Sequence, residues 1–423
     1  MVKKLVSGEY YNYLGIVYLD ADGNQIETSS EIKNAFLHED IHFVQNYTTL
    51  YGINKSIHEM SILLKYMDAA REGFFDIKLS DEEDVVKSSF DIMKGDCYQK
   101  LCHAIESIDM ESQMQELHEF YETIPEHLFN SDFNKDTVRL TFHNGNENYQ
   151  FGGDAINESV AFLFEKILLG SEDYSGHQLP YNACELVYER IWEERCIDYR
   201  ALLVAGYLSL MTRYPGVTFV ELINNLKQEG VFSVEAVEHA AKNVIRLISV
   251  DQLKLIDERI DLLFPLTFNE VESAPLFCAF MEKVISSNEW LKSKYHLMQQ
   301  EQLLFTDAFL LCMKMENTEK CRKAIESLLY QYGKPLVIDK NGAMYDKDQS
   351  RLMLLAPLVL NKILVYKEGN SCSIYNVCKK YGGSAEEICK KDCSSHVSDI
   401  SVCIVRYYLY LKGLGAVKLN NLI

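Results

Sequence analysis

The stretch Phe36-Leu37-His38-Glu39-Asp40-Ile41-His42-Phe43-Val44-Gln45 constrains this chain more than any other. Leu37, Ile41 and Val44 recur at three-to-four spacing, the rhythm of a helix with one side in a core. On such a helix His38 and His42 lie four residues apart on an adjoining face, where two imidazoles can share one zinc ion. Glu39 then sits beside the ion without binding it, placed to take a proton from a water that the ion has acidified. Thr28, Ser29 or Ser30 can cap the helix, and Glu31 falls in the first turn, where the helix dipole favours an acid. The pattern fixes only three positions in a chain with 11 histidines, so two ordinary helix histidines remain the competing explanation.

A catalytic zinc needs a third protein ligand and one open position. The candidate is Glu158, in Phe151-Gly152-Gly153-Asp154-Ala155-Ile156-Asn157-Glu158-Ser159-Val160-Ala161-Phe162-Leu163-Phe164-Glu165. After the Gly-Gly break, Ile156, Val160, Leu163 and Phe164 predict a helix facing a core, and a carboxylate in that apolar company calls for a cation.

These two segments resemble the zinc-binding helices of the thermolysin-like gluzincins: His38-Glu39-x-x-His42 with Asn46-Tyr47-Thr48 the first, Ala155-Ile156-Asn157-Glu158 the second. The resemblance implies a zinc metallopeptidase in which His38, His42 and Glu158 bind Zn2+ and Glu39 is the general base of peptide hydrolysis. It covers about two short helices, with over a hundred residues between the motifs, more than in thermolysin itself. Phe162 stands four residues after Glu158, where that family has an acid that orients a zinc-binding histidine. Metal-bound histidines normally donate their second N–H to an oxygen, so Asp154, Glu165 and Gln45 are the candidates for that duty. A donor for the oxyanion is expected from Tyr181 or His177, both close in sequence to the Glu158 helix.

Charge and composition narrow the partners. Lys and Arg total 42 against 62 for Asp and Glu, and a net charge of -20 repels phosphate backbones and anionic lipid. Neither nucleic acid nor membrane is an expected partner; a peptide or protein substrate is, and the oligomeric state is not legible. No apolar run approaches the roughly 20 residues of a spanning helix; Ala201 to Met211 and Leu352 to Tyr366 read as buried helices instead. No export signal is visible at the start, and 12 scattered cysteines fit a reducing compartment, so cytoplasm is the expected location. Cys372, Cys378, Cys389, Cys393, His396 and Cys403 crowd together near the end, either as buried thiols or as a second, structural zinc site.

The fold class expected is mainly α (α+β): an N-terminal β-hairpin packed on a zincin-like active-site helix, then a helical region. The hairpin is expected from Tyr13–Leu19 and Asn24–Thr28 about the turn residues Asp20 to Asn24, and its edge is a candidate for pairing with an extended substrate. Helical spacing recurs near Lys55 to Arg71, Glu82 to Lys94, Tyr98 to Tyr121, Asn182 to Thr212, Phe219 to Lys227 and Val234 to Leu247. His58-Glu59 lacks a second histidine and reads as a solvated helix face. The turn Tyr214-Pro215-Gly216 divides a zincin-like catalytic region, 1–216, from a mainly helical C-terminal region, 217–423. Two other readings stay open beside the peptidase: a zinc-binding protein without catalysis, and a helical interaction module without metal.

Overall fold

The structure, a computed structural model, describes residues 8–25, 28–71, 98–99, 118–121, 137–144, 147–169, 180–196, 198–212, 214–265, 275–331, 335–343, 353–360 and 374–381, with Cys372, Val405, Tyr408 and Lys412. It is mainly helical, with a small three-stranded sheet at the N-terminal end of the chain. Strands β1 (Gly8–Tyr11) and β2 (Ile16–Leu19) form the antiparallel hairpin, with Gly8 opposite Leu19 and Tyr11 opposite Ile16.

The hairpin lies earlier than expected. Asn24 does not open a second strand: Gly23–Gln25 is a 3-10 turn, and Asp22 accepts from the Asn24 main chain. The reversal falls instead at Asn12–Leu14, a 3-10 turn that ends on Gly15 with φ 61. Tyr13 and Leu14 in that turn are core residues, which is why their apolar character resembles strand sequence. The second edge of β2 is taken in parallel by β7 (Leu336–Asp339), from far along the chain.

Helix α1 (Ser30–Thr48) carries the histidine motif, and Ser29 caps it by accepting from the Ile32 N–H. Its inner side, Ile41, Phe43, Val44 and Tyr47, is buried, while Phe36 and Tyr10 cover the Val17, Leu19 and Val337 face of the sheet. Helix α2 (Leu50–Arg71) follows after one residue. His58 and Glu59 on it are half-buried and not a solvated face, and Glu59 makes a tertiary contact, accepting from Asn12 Nδ2 at 3.2 Å.

Tyr98 to Tyr121, expected to be helical, is strand in its described pieces: β3 (Tyr98–Gln99) and β4 (His118–Tyr121) both pair antiparallel with β5 (Thr137–Asn144), and β6 (Glu147–Gln150) pairs with the other end of β5. The alternating Thr-Val-Arg-Leu-Thr-Phe of β5 has the period of two that recruits such partners. Glu82 to Lys94 lies outside the described residues.

Helix α3 (Gly153–Leu169) bears Glu158 and lies between α1 and α5 (Tyr199–Leu210). Every residue of α5 from Ala201 to Leu210 is buried, as a helix apolar on all sides must be. Around this centre pack α4 (Ala183–Trp192), α6 (Pro215–Glu229), α7 (Val234–Ala241), α8 (Val250–Leu263), the long α9 (Pro275–Met313) and α10 (Thr318–Gln331), then the short α11 (Leu355–Leu360) and α12 (Tyr375–Tyr381). Pro215 and Gly216 are the first residues of α6, and the buried core runs continuously from Tyr13 to Tyr408 across them. Among the described residues no helix is long and apolar enough to cross a membrane.

Candidate metal centre

The site is made where α1 and α3 run side by side. Their contacts pair Gln45 with Asn157, His42 with Glu158 and His38 with Glu165, so the two helices are antiparallel. His38, His42 and Gln45 recur at i, i+4 and i+7 on one face, and Glu158, Phe162 and Glu165 do the same on the other.

Three atoms converge between them. His38 Nε2 and His42 Nε2 are 3.1 Å apart, and Glu158 Oε2 is 3.2 Å from the first and 3.3 Å from the second. A small divalent ion bound tetrahedrally at about 2.0 to 2.1 Å sets its ligand atoms about 3.3 Å apart. The triangle therefore has the size of one face of such a coordination shell, leaving the fourth corner to a ligand from outside. Among the described residues this is the group of His, Cys, Asp and Glu side chains that could hold a metal ion. The donor set, two neutral-capable imidazoles and one carboxylate, suits the same kind of ion. Spacing points to His38 and His42, and apolar surroundings with the gluzincin resemblance point to Glu158; the fold brings all three together.

Glu39 is not part of the triangle. The residue is 7% exposed, and its side chain lies against β1, where a Cβ on Gly8 would come 2.6 Å from Glu39 Cγ. Burial raises its pKa above the ordinary carboxylate range, opposed by the imidazoles of His42 and His38. For Glu158 burial pushes the same way, but His42 and His38 outweigh it and hold the carboxyl well below that range. Burial would lower His38; hydrogen bonds and charge from Glu158 and Glu165 prevail and raise it to about 10.

Behind the ligands stand the groups that sequence left as three candidates. Glu165 Oε1 is 2.8 Å from His38 Nδ1, and Gln45 Oε1 is 2.8 Å from His42 Nδ1. Asp154 serves elsewhere: it accepts from Tyr51 and from Lys55 Nζ, at 2.8 Å, tying the start of α3 to α2. Asn157, which the sequence reading passed over, also reaches His42 Nδ1, at 2.9 Å. Its signal was its place directly before Glu158.

Tyr181 stands at the rim. Its ring meets that of His38 edge-on, centroids 5.5 Å apart, and that of Phe162 at 6.1 Å. His177 lies outside the described residues, as do Cys389, Cys393, His396 and Cys403; Cys372 and Cys378 pack half-buried against the core. Comparison of the chain with protein-family models, with curated proteins and with solved structures gives no match.

Proposed function

We propose that the protein is a zinc-dependent metallopeptidase of gluzincin type that hydrolyses peptide bonds with Glu39 as general base. The observation that carries this reading is the triangle of His38 Nε2, His42 Nε2 and Glu158 Oε2, with edges of 3.1 to 3.3 Å, next to a buried carboxylate that is not needed as a ligand. Bound there, zinc supplies Lewis acidity, lowering the pKa of a coordinated water to about 7 and polarising a carbonyl.

The chain's own residues do the rest. Glu39, with its basicity lifted by burial, accepts the proton of the attacking water and returns it to the departing amine. Tyr181, against His38 and at the edge of solvent, is the donor for the oxyanion. Strand β1, terminal in the order β1-β2-β7 among the described strands, runs beside Glu39 and offers an extended substrate main-chain hydrogen bonds.

The test is Glu39→Gln in the full chain. The wild type is expected to hold one zinc per chain and to cleave members of a mixed fluorogenic peptide set. The variant is expected to keep its zinc and lose on the order of 10²- to 10⁴-fold in turnover, the usual contribution of a general base. A wild type that holds zinc and cleaves nothing would make the centre structural. One that takes up no zinc would remove the basis of the whole reading.

A further inference from the structure

We infer that Glu165 and Gln45 are positioning residues that fix the tautomer and ring orientation of His38 and His42, turning both Nε2 lone pairs toward the shared site; this rests on the metal-binding reading above. A neutral imidazole carries one N–H, and the nitrogen that keeps it cannot bind a metal. His38 Nδ1 lies 2.8 Å from Glu165 Oε1. An ionised carboxylate only accepts, so Nδ1 carries a hydrogen; Nε2 faces a second carboxylate, Glu158, and its lone pair is presented to the site once zinc displaces the proton held there.

For His42 the assignment turns on an amide. Its Nδ1 is 2.8 Å from Gln45 Oε1 and 2.9 Å from Asn157 Nδ2, and these two neighbours ask for opposite protonation. Gln45 decides between them. Its Nε2 donates to the Asn157 main-chain carbonyl at 3.0 Å, which holds its oxygen toward the ring. The Nδ1 of His42 therefore bears the hydrogen and donates to Gln45 Oε1. An Nδ1 that bears the hydrogen cannot accept from Asn157 Nδ2, so the Asn157 carboxamide turns over and presents its oxygen to the same N–H.

Neither group can relax toward water, since Gln45 is 1% exposed and Glu165 is 7% exposed. The register explains how the task moved. Phe162, one turn after Glu158, has no acceptor to offer; it turns against Tyr181 instead. Glu165, two turns after Glu158 on the same helix face, reaches the opposite edge of the His38 ring. Each imidazole is thus held at both nitrogens: His38 by Glu158 and Glu165 of α3, His42 by Glu158 and Asn157 of α3 together with Gln45 of its own helix α1.

The competing explanation is that Glu165 and Gln45 are interhelical packing groups whose loss would cost stability and nothing else. Zinc competition against a chromophoric chelator near neutral pH, with full-length protein, separates the two. Glu165→Leu and Gln45→Leu are expected to bind zinc about 10- to 100-fold more weakly than wild type, as outer-sphere losses typically do. Glu165→Gln keeps an oxygen acceptor without the charge and is expected to lose less. In zinc-loaded, nitrogen-15-labelled wild type, His38 and His42 are each expected to show a downfield Nδ1–H resonance, which a packing role would not move. The His38 signal should vanish in Glu165→Leu and shift in Glu165→Gln; should the leucine variant fail to fold, the glutamine variant, of the same size, decides by that shift. Wild-type affinity and unchanged resonances in folded variants would overturn the positioning role while leaving the zinc site standing. A wild type that binds no zinc would overturn the site and this inference with it.

Discussion

At His38 two carboxylates compete with burial for control of a proton, and they win. Burial alone would discharge the ring, but Glu158 on one edge and Glu165 on the other raise its pKa to about 10 in the metal-free protein. Protonation of His38 therefore stabilises the metal-free fold fully below about pH 6.5, the ordinary histidine value, and that contribution is lost as pH rises through about 10. Zinc must displace this proton. Uptake between about pH 7 and pH 9 is expected to release about one proton per ion, and apparent affinity to rise roughly tenfold per pH unit over that span. Titration calorimetry in two buffers of different ionisation enthalpy reads the proton directly; zero release near pH 7 would contradict the charge balance argued for this ring. His38, His42 and Glu158 were legible in the sequence because helix periodicity and the cost of burying a lone carboxylate both act locally. Which of Asp154, Glu165 and Gln45 orients which ring was not, because the choice depends on distances between two helices whose register no local pattern records. Asp154, the acid nearest Glu158 in the sequence, is taken by Tyr51 and Lys55.

The helices meet correctly because the start of α3 is fixed against α2. A Cβ on Gly153 would come 2.2 Å from the Tyr51 ring, and Asp154 beside it takes the Tyr51 hydroxyl and the Lys55 ammonium. Gly153→Ala must then push Tyr51 or the first turn of α3 aside, at about 1 to 3 kcal/mol, the usual cost of overpacking. Glu158 lies just beyond that turn, so zinc binding is expected to weaken along with stability. Urea unfolding of the chelated protein and zinc competition measure the two effects, and a variant as stable as wild type would show that the contact is not tight. The Gly-Gly break and the apolar period of three to four made α1 and α3 readable as elements. The N-terminal sheet was readable only in kind. Tyr13 and Leu14 read as strand because they are apolar, yet they turn into the core at 1% and 0% exposure. The partner that completes the sheet, β7, is more than three hundred residues away, and parallel pairing over such a distance leaves no local mark.

For the molecule as a whole, the metal site joins two stretches of chain 116 residues apart, from His42 to Glu158, inside one continuous core. The buried residues on either side of Gly216 belong to that same core, so thermal unfolding is expected as a single transition. An ion that binds only where α1 and α3 are docked binds the folded state alone, because the unfolded chain holds His38, His42 and Glu158 apart. Stabilisation then follows mass action, about 2.7 kcal/mol when free zinc is a hundred times the dissociation constant and about 4.1 kcal/mol at a thousand times. Spread over an unfolding entropy proportional to 423 residues, this corresponds to a rise in Tm of roughly 3 and 5 °C. The rise should continue with the logarithm of free zinc and not level off once the site is full, since each further increase still penalises unfolding. Differential scanning calorimetry of chelated protein, with zinc restored through a metal buffer, measures the slope. His38→Ala should abolish it, and a chelated protein whose Tm ignores zinc would mean that α1 and α3 are held together without an ion between them.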